Sequence, residues 1–315
     1  MNKFEKHNGY ARTFQENKLT LGLAVPLEAY QGNVPEMNLE QQIKLAKIAE
    51  EANFTSLMVR DIPLNDPSFG DVGQMYDPWI YLSHLAAHTK KIALGTASVI
   101  TSFQHPLNLA QSAASLDKIS GERLLFGLAT GDRPIEFDAY HIDREKRAEY
   151  YREAFYVMKE VWAKSFPTIQ TCRVSLTGGT DLLPKPVLGD IPVFVTGFSG
   201  QTLEWIAENS DGLFGYPRNP AQQASLISAY RSLTDGFKPF AQSLHIDLTE
   251  NPDEGPTPIH LGFRSGHKFL MEFLHALQEA GVNHVYLNNK FSHRPVEEVI
   301  QELAEEVVPH FPALT

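Results

Sequence analysis

Cysteine is nearly absent: Cys172 stands alone in 315 residues, which excludes an intrachain disulfide and points to a reducing compartment. Basic residues are also scarce, with 27 Lys and Arg against 38 Asp and Glu, a formal net charge of -11 with the 12 His neutral. Such a chain offers no basic face to nucleic acid or to an anionic membrane surface, so neither is expected as a partner. Any anionic ligand must then be held by a local cluster of donors. No run reaches the ~18 consecutive apolar residues that a membrane helix requires. The first stretch, MNKFEKHNGYARTFQENK, holds no apolar core of signal-peptide length. These absences together give the expectation of a cytoplasmic, globular protein without a membrane partner. Missing too are the phosphate-binding fingerprints GxGxxG and GxxxxGK[ST], the nucleophile elbow GxSxG and the HxH strand of metal-dependent barrel hydrolases.

What is present is ample core material, 43% hydrophobic against 21% charged residues, arranged as an alternation. After a polar leader over residues 1–18, β-rich runs at 19–25, 54–59, 92–99, 124–129, 191–196, 212–216, 243–248 and 282–287 are each followed by a helical pattern. The helix starts carry their own signals: Asn38 as a cap, Asp77-Pro78, Pro106 and Pro295, with Gly121 closing the helix that Pro106 opens. Eight strands alternating with helices, and no phosphate fingerprint after the first, predict a closed (β/α)8 TIM barrel over residues 19–315. Long Pro-, Gly- and acid-rich stretches at 23–37, 61–76 and 249–262 all follow strands, so the insertions gather at the C-terminal face of the strands, where a barrel builds its ligand pocket. A further irregular stretch spans 166–190.

Histidines give little. His84 and His88, at i and i+4, sit on an outer helix without a carboxylate partner, so no metal site is expected; His245, His275 and His284 read as packed or surface residues. Four other segments are more informative. They are IALGTASVITSFQHPLNLAQSAASLDKISGERLLFGLATG (92–131), FDAYHIDREKRAEYYREAFYVMKEVW (137–162), PVFVTGFSGQTLEWIAENSDG (192–212) and GVNHVYLNN (281–289). In this order they resemble the luciferase-like flavin monooxygenase family.

The resemblance implies FMN, with the deazaflavin F420 as the alternative cofactor on the same fold. It implies a non-proline cis peptide at Ala97-Ser98 against the flavin ring, beside the small residues Gly95 and Thr96. It implies a phosphate seat at Ser199, Gly200 and Thr202, where a strand gives way to a helix. Two positions depart from the luciferase pattern. Asp61 stands where the family carries a histidine that serves the chemistry, and becomes the catalytic candidate. Thr130 stands where an arginine reaches the phosphate; Arg133, three residues on, and Arg264, before the seventh helix, are the cations that can take its place.

The expected activity is oxygenation of a small apolar or amphipathic organic substrate by reduced FMN and dioxygen, the reduced flavin coming from a separate flavin reductase, with a homodimer implied by the resemblance. An F420-dependent hydride-transfer dehydrogenase and a non-catalytic flavin-binding protein stand beside it.

Overall fold

In the computed structural model, which describes residues 3–30, 34–69 and 76–314, eight strands form a closed parallel ring. They are β1 (Thr20–Ala24), β2 (Ser56–Val59), β3 (Ala93–Ile100), β4 (Leu124–Ala129), β5 (Val193–Thr196), β6 (Gly212–Gly215), β7 (Phe240–Leu248) and β8 (His284–Asn288). Each pairs in parallel with the next, and β8 pairs with β1, Thr20 opposite His284, to close the barrel. The TIM-barrel expectation is therefore met, strand for strand.

The expected capping chemistry is visible at the helix ends. Asn38 accepts from the Gln41 N–H at the start of α2 (Leu39–Glu51), and Asp77 from Trp79 and Ile80 at α3 (Pro78–His88). The helix α4 (Pro106–Ser120) ends at Gly121 with φ 73°, a left-handed cap that suits a residue without Cβ. The remaining long helices, α6 (Arg147–Ala163), α8 (Pro220–Arg231) and α9 (His267–Glu279), join these around the ring. Their buried Leu, Ile, Val and aromatic side chains meet the outward faces of the strands in one continuous core.

Residues 3–18, read from sequence as a polar leader, are folded. Helix α1 (Asn8–Thr13) closes the N-terminal end of the barrel, and Phe4, Tyr10 and Phe14 pack inside it against Phe194 and Phe214. Three aromatic residues among these sixteen, Phe4, Tyr10 and Phe14, suffice to plug a narrow opening, which is why composition reads the stretch as a leader. His7 anchors it: both the ring and its partner Asp117 are buried, with Nε2 2.9 Å from Oδ1. A cavity of about 1030 Å³ opens beside the plug, walled by Phe14, Phe237, Lys238 and Leu314. It lies on the face away from the long loops.

Two stretches read as irregular are hairpins. Residues Thr168–Gln170 and Ser175–Thr177 pair antiparallel, as do Thr257–Ile259 and Gly262–Ser265. Gly262–Ser265 also runs parallel to β7 outside the ring, which fixes the 249–262 insertion over the barrel. Parts of the expected loops 23–37 and 61–76, namely 31–33 and 70–75, lie outside the described residues.

Candidate active site

Strand side chains alternate between the barrel interior and the helix layer. Ala24, Met58, Ala93, Leu125, Phe194, Phe214, Ala241 and Tyr286 form a buried inner layer. Continuing each strand by two or four residues gives the layer above, at the C-terminal mouth: Arg60, Ala97, Ala129, Thr196, Tyr216, His245 and Asn288. The mouth is thus two-sided. Ala97 and Ala129 leave space over β3 and β4, whereas β2, β7 and β8 contribute polar and cationic groups.

The peptide Ala97-Ser98 is cis, as the resemblance implied, and the β3–β4 register shifts between Thr96 and Val99. Asp61 ties the end of β2 to this irregular segment. Its N–H donates to the Ser98 carbonyl at 3.2 Å, while Oδ2 accepts from the Ile100 N–H at 3.1 Å and from Gln104 Nε2 at 3.3 Å. Burial pushes the Asp61 carboxyl up to about 6 against the pull of the Ile100 N–H, and the Asp77 charge adds to the rise. Asp61 and Arg60 are consecutive and point apart, Asp61 toward β3 and Arg60 to the Tyr30 hydroxyl at 3.2 Å.

The turn after β5 combines several left-handed residues: Gly197 (φ 59°), Ser199 (φ 49°) and Gly200 (φ 68°). A Cβ on Gly200 would stand 2.8 Å from Ala148 Cβ, so α6 packs directly on the turn. Gln201 secures it by donating to the Ala148 and Ser199 carbonyls, and Arg152 Nε donates to Gln201 Oε1. Ser199 spends its only hydroxyl proton on the Thr196 carbonyl at 2.9 Å. Thr202 caps the short helix α7 (Leu203–Asn209) by accepting from the Trp205 N–H, which leaves its own O–H available to a ligand. Thr196 Oγ1, on the inward face just below, is buried without a hydrogen-bond partner. An orphaned hydroxyl under a turn rich in left-handed backbone is a donor set that suits a phosphate.

The remaining candidates are spread. Thr130 is buried, its carbonyl held by Ser102 Oγ at 2.8 Å. Arg133 is buried as the cap of α5 (Pro134–Ala139), near Glu136 on the β2–β4 side of the mouth. Arg264 lies on the strand Gly262–Ser265, ahead of α9, which starts at His267. Asp247 takes its guanidinium at 2.8 Å, with Glu254 at 3.6 Å and His293 Nδ1 at 3.3 Å. Pairing of that strand with β7 carries Arg264 to the insertion side, away from the Ser199 turn. Nothing among the described residues forms a cluster of three or more His, Cys, Asp or Glu fit for a metal, and no described helix is long and apolar enough to cross a membrane.

Several site groups escaped the sequence. Glu136 is buried with Oε1 unpartnered; burial pushes it up to about 7, Arg133 opposing and Asp61 and Asp132 adding to the rise. Its position two residues into a Pro-started helix after β4 was the available signal. His245, taken from sequence as a packed or surface residue, stands at the mouth. Burial pushes it down to about 4, and the charges of Arg60 and Lys290 add to this. Counting two residues on from Ser243 along β7 would have placed it.

Residues 20–246 match the model of the luciferase-like monooxygenase family, and the chain belongs to that family. The uncharacterized protein Rv0953c of Mycobacterium tuberculosis is 30% identical over 190 residues, covering 55% of this chain and 67% of that protein. Among solved structures, the monooxygenase RslO1 from Streptomyces bottropensis superposes with a TM-score of 0.77 at 18% identity, over 93% of this chain and 99% of its own. An F420-dependent secondary alcohol dehydrogenase in complex with an F420-acetone adduct gives 0.75 at 18% identity, over 93% and 98%. These likenesses establish the fold; they divide between a monooxygenase and an F420 enzyme.

Proposed function

We propose that the protein is a flavin-dependent monooxygenase that takes reduced FMN from a separate flavin reductase. The observation that carries the reading is the turn after β5 with unspent donors at Thr196 and Thr202, beside a mouth where β3 and β4 present only the small side chains of Ala97 and Ala129. Reduced FMN, when bound, supplies the electrons with which dioxygen is split, one oxygen atom going to the substrate and the other to water. The protein's part is to seat, shield and orient. Thr196 and Thr202 hydroxyls, with the backbone at Ser199 and Gly200, hold the phosphate; Ala97 and Ser98 form the wall for the ring. Asp61 fixes that wall to β2 and, with Glu136, keeps protonatable carboxyls beside it near neutral pH. The insertions over the mouth exclude water from the reacting groups.

A second reading, hydride transfer with F420, is favoured by Thr130 in place of the phosphate-reaching arginine and by the shape shared with the F420-dependent alcohol dehydrogenase. Titration of the purified protein with FMN, reduced FMN and F420, followed by fluorescence, separates the two. Tighter binding of reduced FMN, with oxygen-driven reoxidation slower than that of free flavin in stopped flow, is the expected result. Preference for F420 selects the second reading. Binding of flavin with reoxidation at the free rate leaves a flavin-binding protein without oxygen chemistry.

A further inference from the structure

His245 follows inward-facing Ala241 along β7 and sits opposite Asn288 in the β7–β8 register, at the level of the mouth. Both its backbone and its ring are held by the turn of the insertion hairpin. The His245 N–H donates to the Leu261 carbonyl at 3.1 Å, and Nδ1 lies 2.8 Å from the His260 carbonyl. That turn has no slack: Leu261 is left-handed, with φ 55°, and a Cβ on Gly262 would stand 1.8 Å from the His245 carbonyl oxygen. The Phe291 ring meets the imidazole in a T-shaped contact, 5.2 Å between centres. Phe291 and Tyr30 wall the same side, with Lys290 Nζ 5.6 Å and 5.2 Å from their ring centres. The Tyr30 N–H donates to the Lys290 carbonyl at 3.1 Å, which fastens the loop after β1 to this place.

A carbonyl only accepts, so Nδ1 carries the proton and Nε2 is left as an acceptor. Burial pushes the imidazole down to about 4 against the hold of the His260 carbonyl, and the charges of Arg60, Lys290 and His260 add to the fall. The ring is therefore neutral near pH 7 and too weak a base there to draw off a proton; its part is to receive a hydrogen bond. The residue is 8% exposed, and Nε2 has no hydrogen-bond partner among the described residues. A buried acceptor left empty is costly, so the position favours a ligand that gives it a hydrogen. The surroundings that keep a proton off Nε2 disfavour any other cation there, and an ionised carboxylate has no hydrogen to give. What remains is an uncharged donor, and a hydroxyl on an otherwise apolar body matches the aromatic walls of Phe291 and Tyr30.

We propose that His245 determines the specificity of the mouth: its Nε2 accepts a hydrogen bond from a hydroxyl of the substrate, so the chamber takes amphipathic alcohols and rejects the matching ethers. The inference rests on reading the mouth as the substrate chamber of a flavin enzyme, and it holds with FMN or F420 as the cofactor. β3, whose wall is proposed for the flavin ring, stands opposite β7 in the eight-stranded ring. The acceptor and the wall therefore face each other across the mouth. No proton or electron passes through His245; it fixes which end of the substrate lies away from the flavin.

Isothermal titration calorimetry with hexanol and methyl pentyl ether tests it; the two match in size, and only the alcohol can donate. The alcohol is expected to bind at least about tenfold more tightly, the usual weight of a hydrogen bond to a buried acceptor. His245→Phe should lose that preference by weakening the alcohol alone. His245→Gln, whose side-chain carbonyl still accepts, should recover part of it. Nitrogen NMR of isotope-labelled histidines gives a second readout: the Nε2 resonance of His245, assigned by its loss in His245→Phe, should move on adding the alcohol and stay still with the ether. Equal affinity for the two, no binding of the alcohol, or a preference that survives His245→Phe overturns the proposal and leaves the ring a brace for the insertion. A loss in His245→Phe of affinity for FMN and riboflavin alike also overturns it, making Nε2 a contact of the flavin ring and leaving the flavin reading standing. An alcohol preference lost in His245→Phe, in a protein with no affinity for FMN or F420, upholds the site and ends the flavin reading.

Discussion

The backbone N–H of Asp61 donates to the Ser98 carbonyl across 3.2 Å, and the Asp61 carboxylate takes the N–H of Ile100 two residues on, at 3.1 Å. One residue after β2 thereby holds both sides of the irregular end of β3. The position that departs from the luciferase pattern thus braces the backbone of β3, and under the proposed function it acts as a positioning residue. Asp61→Ala should leave the Ile100 N–H without its acceptor and cost about 1–3 kcal/mol, with weaker flavin binding. Asp61→Asn keeps an acceptor oxygen and should recover most of both. Urea unfolding and flavin titration of the two variants measure this; an alanine variant with unchanged flavin affinity would detach Asp61 from the cofactor seat.

The same carboxyl gives a pH signature. Asp61 is raised from 3.8 to about 6 and Glu136 from 4.5 to about 7, both by burial first. Between these values the native state holds protons that the unfolded chain has released, so their contribution to stability is present at low pH and is lost as pH rises through the folded values. Carboxyls held low by partners, such as Asp247 beside Arg264 and His293, act in the opposite direction as pH falls. The difference between wild type and variants isolates the first effect. Asp61→Asn and Glu136→Gln should gain stability relative to wild type between pH 4 and 7, each on the order of 1 kcal/mol. Parallel stability curves would show that neither carboxyl is raised.

At the turn after β5, Ser199→Glu and Thr202→Glu should abolish FMN binding by setting a carboxylate against the phosphate. Thr202→Ala should cost about 1 kcal/mol of stability through the lost cap and weaken FMN more than riboflavin, which has no phosphate. An equal effect on FMN and riboflavin would place the phosphate elsewhere. Gly200→Ala combines φ 68° with a Cβ 2.8 Å from Ala148, so it should destabilise the turn by more than about 1 kcal/mol.

His7 is fully buried against Asp117, whose Oδ2 has no partner. Removing one member of such a pair strands the other, at about 3–5 kcal/mol. His7→Ala is expected to be costlier than the double change His7→Ala with Asp117→Ala. Phe14→Ala, which empties part of the barrel floor, should cost about 3–5 kcal/mol. Thermal unfolding of the variants tests whether the N-terminal segment belongs to the barrel's cooperative unit.

The sequence by itself determined the ring. Period-two runs with caps and breakers between them are local signals, and each of the eight strands formed where they pointed because backbone preference and burial agree there. Through the family resemblance it also pointed to the cis peptide at Ala97-Ser98 and to a tight turn at Ser199 and Gly200, both of which ride on contiguous motifs. Tertiary structure decided the rest. Residues 3–18 became a plug because a barrel floor accepts scattered aromatics that no local pattern marks. Arg264 was drawn to Asp247 because an insertion strand paired beside β7, a long-range choice. His245, Lys290, Arg60 and Tyr30 are spread over 261 positions of sequence, from 30 to 290, and only closure of β8 onto β1 brings them to one side of the mouth.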